Sequence, residues 1–110
     1  MKQTNFLELV FERNAQYEWR MDETGMVTVF VENKGMFHWI FQKILGKPRI
    51  SQVHMEEIGS FIWRELDGSK TVLEIGQGLG RHFGEKAMPL YERLTIYIRQ
   101  LLACGFLVRK

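Results

Sequence analysis

From Met55 to Cys104 the apolar residues recur three times at the spacing of an α-helix, and each run ends at a residue that stops a helix. Ile58, Phe61, Ile62 and Leu66 form the first stripe, and Asp67-Gly68 closes it. Thr71-Val72-Leu73-Glu74 opens the second run with the spacing of a capping box. In that device the threonine hydroxyl accepts from the amide of residue 74 while the glutamate reaches back. Val72, Ile75, Leu79 and Phe83 then share one face, and Gly84 stands where a C-terminal cap belongs. The third helix is expected from about Lys86 to Cys104, with Pro89 in the first turn, where no backbone donor is lost. Its buried stripe is Leu90, Leu94, Tyr97, Ile98 and Leu101; Gly105 ends it, and Phe106 to Val108 suits a last short strand.

The N-terminal half has a different texture. Residues 1–16 form an arm that fits either a short helix, with Phe6, Leu7, Val10 and Phe11 on one face, or a segment packed on a sheet. Tyr17, Trp19 and Met21 alternate with Glu18 and Arg20, the period of a half-buried strand. Asp22 to Gly25 supplies turn chemistry, and the β-branched run from Met26 to Glu32 completes a hairpin. An amphipathic insert, 36–45, carries Met36, Phe37, Ile40, Phe41, Ile44 and Leu45 on one side. Arg49 to His54 reads as a third strand. Strands with an insert over 17–54 and three helices over 55–110 describe one α+β domain, winged helix-turn-helix-like, with a small three-stranded antiparallel sheet followed by three helices.

Composition narrows the function. A chain of 110 residues has room for one domain, and its net charge of +2 does not by itself suggest a phosphate-binding surface. Cys104 is the only cysteine, which rules out an internal disulfide and a cysteine-rich metal site. The longest mostly apolar stretch, Met36 to Leu45, is too short for a membrane span, and the N-terminus lacks the apolar core of a signal peptide. A cytoplasmic protein is expected.

The run Val72 to Gly80, with glycines at 76, 78 and 80, resembles the glycine-rich first motif of S-adenosylmethionine-dependent methyltransferases. That motif opens a doubly wound sheet, and the residues after Gly80 hold one helix and a tail. Thr71 and Glu74 also suit a helix cap better than a strand end. Interior helix glycines cost stability, so this helix is expected to be soft or to lie close to another backbone. His38, His54 and His82 are widely spaced surface histidines, and Ser60 and Ser69 have no base to activate them. Glu56 and Glu57 suit a helix N-terminus, and Cys104 suits a buried thiol. No catalytic set and no cofactor site assembles from these residues.

The helix-turn-helix order raises a DNA-binding regulator as the alternative function. The last helix mixes Lys86, Arg93 and Arg99 with Glu85 and Glu92, and its outer face carries Ile96. An apolar residue there suits a protein contact better than a phosphate-rich groove, so nucleic acid is not the expected partner. The insert 36–45, flanked by Lys34, Lys43 and Lys47, is expected to cover one face of the sheet rather than to lie on a membrane.

Phe61-Ile62-Trp63, Leu66-Asp67-Gly68, Thr71-Val72, Glu74-Ile75, Phe83-Gly84, Leu90-Tyr91-Glu92-Arg93-Leu94 and Gly105-Phe106-Leu107, taken in order, resemble PqqD-like proteins. The resemblance covers Met55 to Leu107; Arg49 to His54 fits the strand that precedes these helices in the family. The aromatic insert departs from the shorter family pattern, and Glu56 stands where an asparagine often caps the first helix. The resemblance implies a non-catalytic peptide-binding adaptor for a ribosomally made precursor. Such a domain binds the precursor's leader peptide and delivers it to a modifying enzyme, often a radical S-adenosylmethionine protein, as in PQQ biosynthesis. By position, the leader would add as a strand along Arg49, Ile50, Ser51, Gln52, Val53 and His54 and face Arg93, Ile96, Tyr97 and Gln100 of the third helix. Arg49 and Arg93 would pair with acidic leader residues, and Ile96 would give a floor to an apolar one.

Overall fold

A computed structural model describes residues 5–32 and 50–110. The Lys and aromatic positions of the 36–45 insert, and Arg49, lie outside the described residues. After a 3₁₀ turn at Phe6–Glu8 the chain runs β1 (Val10–Arg13), β2 (Glu18–Met21), β3 (Val27–Glu32), β4 (Ile50–His54) and α1 (Glu57–Glu65). It continues through β5 (Asp67–Thr71), α2 (Val72–Phe83), a second 3₁₀ turn at Gly84–Ala87, α3 (Leu90–Ala103) and β6 (Leu107–Arg109). The class is α+β. Among the described residues two three-stranded antiparallel sheets form, ordered β2-β3-β4 and β5-β1-β6, where one sheet was expected.

The first sheet follows from local chemistry. Trp19 pairs with Val29, and Val29 pairs with Val53, so the alternating apolar residues share the core face. The hairpin turn is held by Asp22, whose carboxylate accepts from the Thr24 amide at 2.8 Å and the Thr24 hydroxyl at 2.6 Å. The Thr24 hydroxyl, ahead of the Met26 amide, keeps this exposed carboxyl below the usual aspartate range. Gly25 takes φ +89°, which glycine adopts without strain.

The second sheet depends on pairing across the chain. β1 is its centre strand, with Val10 opposite Thr71 on one side and Phe11 opposite Arg109 on the other. Thus the N-terminal arm is a 3₁₀ turn and a strand, and the helix alternative falls. Asp67-Gly68 does stop α1, yet the same residues start β5. Asp, Gly, Ser and Lys have little strand preference, so this strand exists because β1 offers its backbone groups. The sheet also ties down a helix end: Arg13 Nη1 donates to the carbonyls of Trp63 at 2.8 Å and Arg64 at 3.0 Å. A cation there suits the negative end of the helix, where Trp63 O also accepts from Leu66 N–H at 3.2 Å.

The two sheets and three helices of the described residues close on one core. Trp63, Leu66, Val72, Leu94, Ile98 and Val29 are fully buried in it, together with Ile75 and Leu79. Trp63 meets Trp19 and Phe106 edge-on, at centroid distances of 6.2 and 6.1 Å. Two expectations about the last helix need correction. It starts at Leu90 rather than near Lys86, with Pro89 as its N-cap residue. Gly84 at φ +59° breaks the chain after α2, and the residue before a proline disfavours helical geometry. Cys104, expected to be buried, is exposed, because it follows Arg93, Tyr97 and Gln100 along one side of the helix and not the buried stripe of Leu94, Ile98 and Leu101. No helix among the described residues is long and apolar enough to cross a membrane.

Candidate functional site

β4 is bonded to β3 on one side only; no described strand pairs with its other edge. The ladder sets which backbone groups face outward. Met55 N–H donates to Val27 O at 2.9 Å, and residues of an antiparallel strand alternate between facing the partner and facing away. Val53 therefore turns its amide and carbonyl to β3, while Gln52 and His54 turn theirs to the unpaired edge. An edge of this kind is a template for a further strand.

Beside that edge lies a cleft of about 370 Å³. One wall is the end of β4 and the start of α1, from Val53 to Glu56 with Gly59; the other is Arg93, Tyr97, Gln100 and Cys104 of α3. These four fall on one side of a helix by its 3.6-residue period. Ile62, Leu79, Leu94 and Phe106, all buried, form its apolar floor. Polar groups stand at the rim. Arg93 Nη1 donates to Lys86 O at 2.6 Å, and His54 Nδ1 shares a hydrogen bond with Thr28 Oγ1 at 3.0 Å. Tyr97 is pushed up to about 12 by burial, with the negative charge of Glu56 adding to it.

Of the residues expected at the site, Val53, His54, Arg93, Tyr97 and Gln100 meet around this cleft. Gln52 sits on the same edge and is exposed; Ile50 and Ser51 belong to β4 by their backbone. Arg49 lies outside the described residues. Ile96 is placed elsewhere: it is 57% exposed on another side of α3, in a shallow apolar patch with Phe6, Leu7, Tyr91 and Thr95. Arg99 lies over the Phe6 ring at 5.0 Å, on that side too.

The site also uses residues that the sequence reading passed over. Gly59 brings α1 close to Tyr97: an ideal Cβ there would stand 2.6 Å from the phenol oxygen. A glycine inside a helix was the available signal. Ser60, read only as a serine without a base, has a structural task. Its hydroxyl accepts from Val27 N–H at 2.8 Å and donates to Met55 O at 3.2 Å, bridging the end of the β3–β4 ladder to α1.

The glycine run is helical. Glu74 N–H donates to Thr71 Oγ1 at 3.1 Å and Thr71 N–H to Glu74 Oε1 at 2.8 Å, the capping box in full. Two of its glycines make room for side chains of α3 rather than for another backbone: Gly76 faces the Tyr91 ring and Gly80 the Leu90 methyl. His82 is exposed and stacks on Phe61 at 5.3 Å. Among the described residues no cluster of three His, Cys, Asp or Glu side chains is placed to hold a metal ion.

Fold and site together define a small α+β domain with a sheet edge that no described strand pairs, beside an apolar cleft. Residues 42–107, more than half of the chain, match the family model for coenzyme PQQ synthesis protein D, and the chain belongs to the PqqD family. The match takes in β4, α1, α2, α3 and the start of β6; β1 to β3 precede it. No curated protein and no solved structure matches the chain.

Proposed function

We propose that this domain is a cytoplasmic, non-catalytic adaptor that binds the leader of a ribosomally made precursor peptide and presents it to a modifying enzyme, such as a radical S-adenosylmethionine protein. The observation that carries the reading is the outward-facing backbone of Gln52 and His54 next to a cleft with an apolar floor. A leader strand added there gains main-chain hydrogen bonds from the edge. Its alternate side chains enter the cleft beside Val53, and Arg93 at the rim suits an acidic neighbour. Membership in a family named for coenzyme PQQ synthesis supports a role in such a pathway.

The test is a titration of ¹⁵N-labelled domain with the leader peptide encoded beside its gene. Amide shifts are expected at Gln52, Val53 and His54 and along the Arg93–Gln100 face of α3. A leader that leaves both segments unshifted overturns the reading.

A further inference from the structure

Gly59 is the third residue of α1, inside a helix where alanine is the better helix former. The cost of glycine is explained by Tyr97, whose hydroxyl and ring reach across from α3 onto the bare backbone. A Cβ at residue 59 would stand 2.6 Å from the phenol oxygen and 3.0 Å from Cζ, closer than packed atoms tolerate. The far end of the ring is the movable partner, so an added methyl displaces the ring and leaves the helix in place. Leu94, Ile98 and Leu101 fill the core side of α3, which leaves the cleft as the direction open to it.

We propose that Gly59 is a positioning residue that keeps Tyr97 seated against α1, and that Tyr97 so seated is the wall that limits which peptide side chains the cleft accepts. This rests on the peptide-binding reading of the cleft. It assigns selectivity to a pair that joins α1 to α3 rather than to the strand edge, whose main-chain bonds any sequence can make.

The probe is a peptide selected on the wild-type domain from a random linear library displayed on phage, with affinity measured by calorimetry. Gly59→Ala is expected to weaken it roughly tenfold or more, the scale of overpacking a fitted site, with no fall in melting temperature. Adding Tyr97→Phe removes the closest atom and is expected to recover roughly threefold. Unchanged affinity in Gly59→Ala, or no recovery in the double variant, overturns the proposal. Should Gly59→Ala melt early, Tyr97→Ala decides: a library reselected on it is expected to favour larger, aromatic side chains at the position entering the cleft. The same preference as wild type overturns the proposal. Failure of the wild-type domain to select any peptide overturns the underlying reading instead.

Discussion

Replacing Ser60 with alanine separates the end of the β3–β4 ladder from α1 at one atom. Ser60 is 1% exposed, and so is Val27, whose amide donates to it. The reverse half of this backbone pair is a direct bond, Met55 N–H to Val27 O at 2.9 Å; the forward half passes through the Ser60 hydroxyl. Without the hydroxyl, the buried Val27 amide has no acceptor, which costs about 1–3 kcal/mol. Alanine is the better helix former by about 0.5 kcal/mol and offsets part of this. The net loss is about 0.5–2.5 kcal/mol, or about 2–10 °C in melting temperature for a domain of this size. Urea unfolding followed by circular dichroism measures the loss, with an unchanged m-value to show that the folded state is otherwise intact. Amide exchange at Val27 is the specific readout, and its protection should fall more than that of Val29. A variant within about 0.5 kcal/mol of wild type, the range of neutral substitutions, with Val27 still protected, refutes the bridging role.

Two glycines of α2 should respond oppositely to alanine. At Gly76 the new Cβ lies 3.0 Å from Tyr91 Cζ and nearer still to Cε1, so overpacking of about 1–3 kcal/mol outweighs the helix gain of about 0.5–1 kcal/mol. At Gly78 the nearest atom is 3.7 Å away, so Gly78→Ala should stabilise by about 0.5–1 kcal/mol; equal shifts in urea unfolding would contradict this. Tyr97 supplies a pH dependence. Burial, helped by Glu56, raises it to about 12 from an ordinary value of 10.0, so the folded state favours the neutral phenol. That contribution is fully present below pH 10 and is lost as pH rises through about 12. Urea unfolding from pH 8 to 12 should show a decline that Tyr97→Phe lessens, and an identical decline in the variant would refute it.

Local sequence was enough for the helices and the first sheet. A stripe repeated every three or four residues selects a helix whatever packs on it. The Thr71–Glu74 box, the Asp22–Gly25 turn and the glycine at 84 act within a few residues of themselves. Membership in the PqqD family was legible for the same reason, because it rests on the order of these local signals.

Tertiary structure alone decided the second sheet and the face each residue meets. β5 is composed of Asp, Gly, Ser, Lys and Thr, and nothing in that string asks for a strand; β1, more than fifty residues earlier, supplies its partners. Helical periodicity groups Arg93, Tyr97 and Gln100 on one side, but it does not say whether that side meets solvent, core or cleft. Ile96 shows the difference. Its exposure was legible, yet its neighbours are Phe6 and Leu7 of the N-terminal segment rather than β4. Spacing along a chain determines which residues of an element share a face. What that face touches depends on contacts between distant segments, and those are set only when every apolar stripe is buried against another at once.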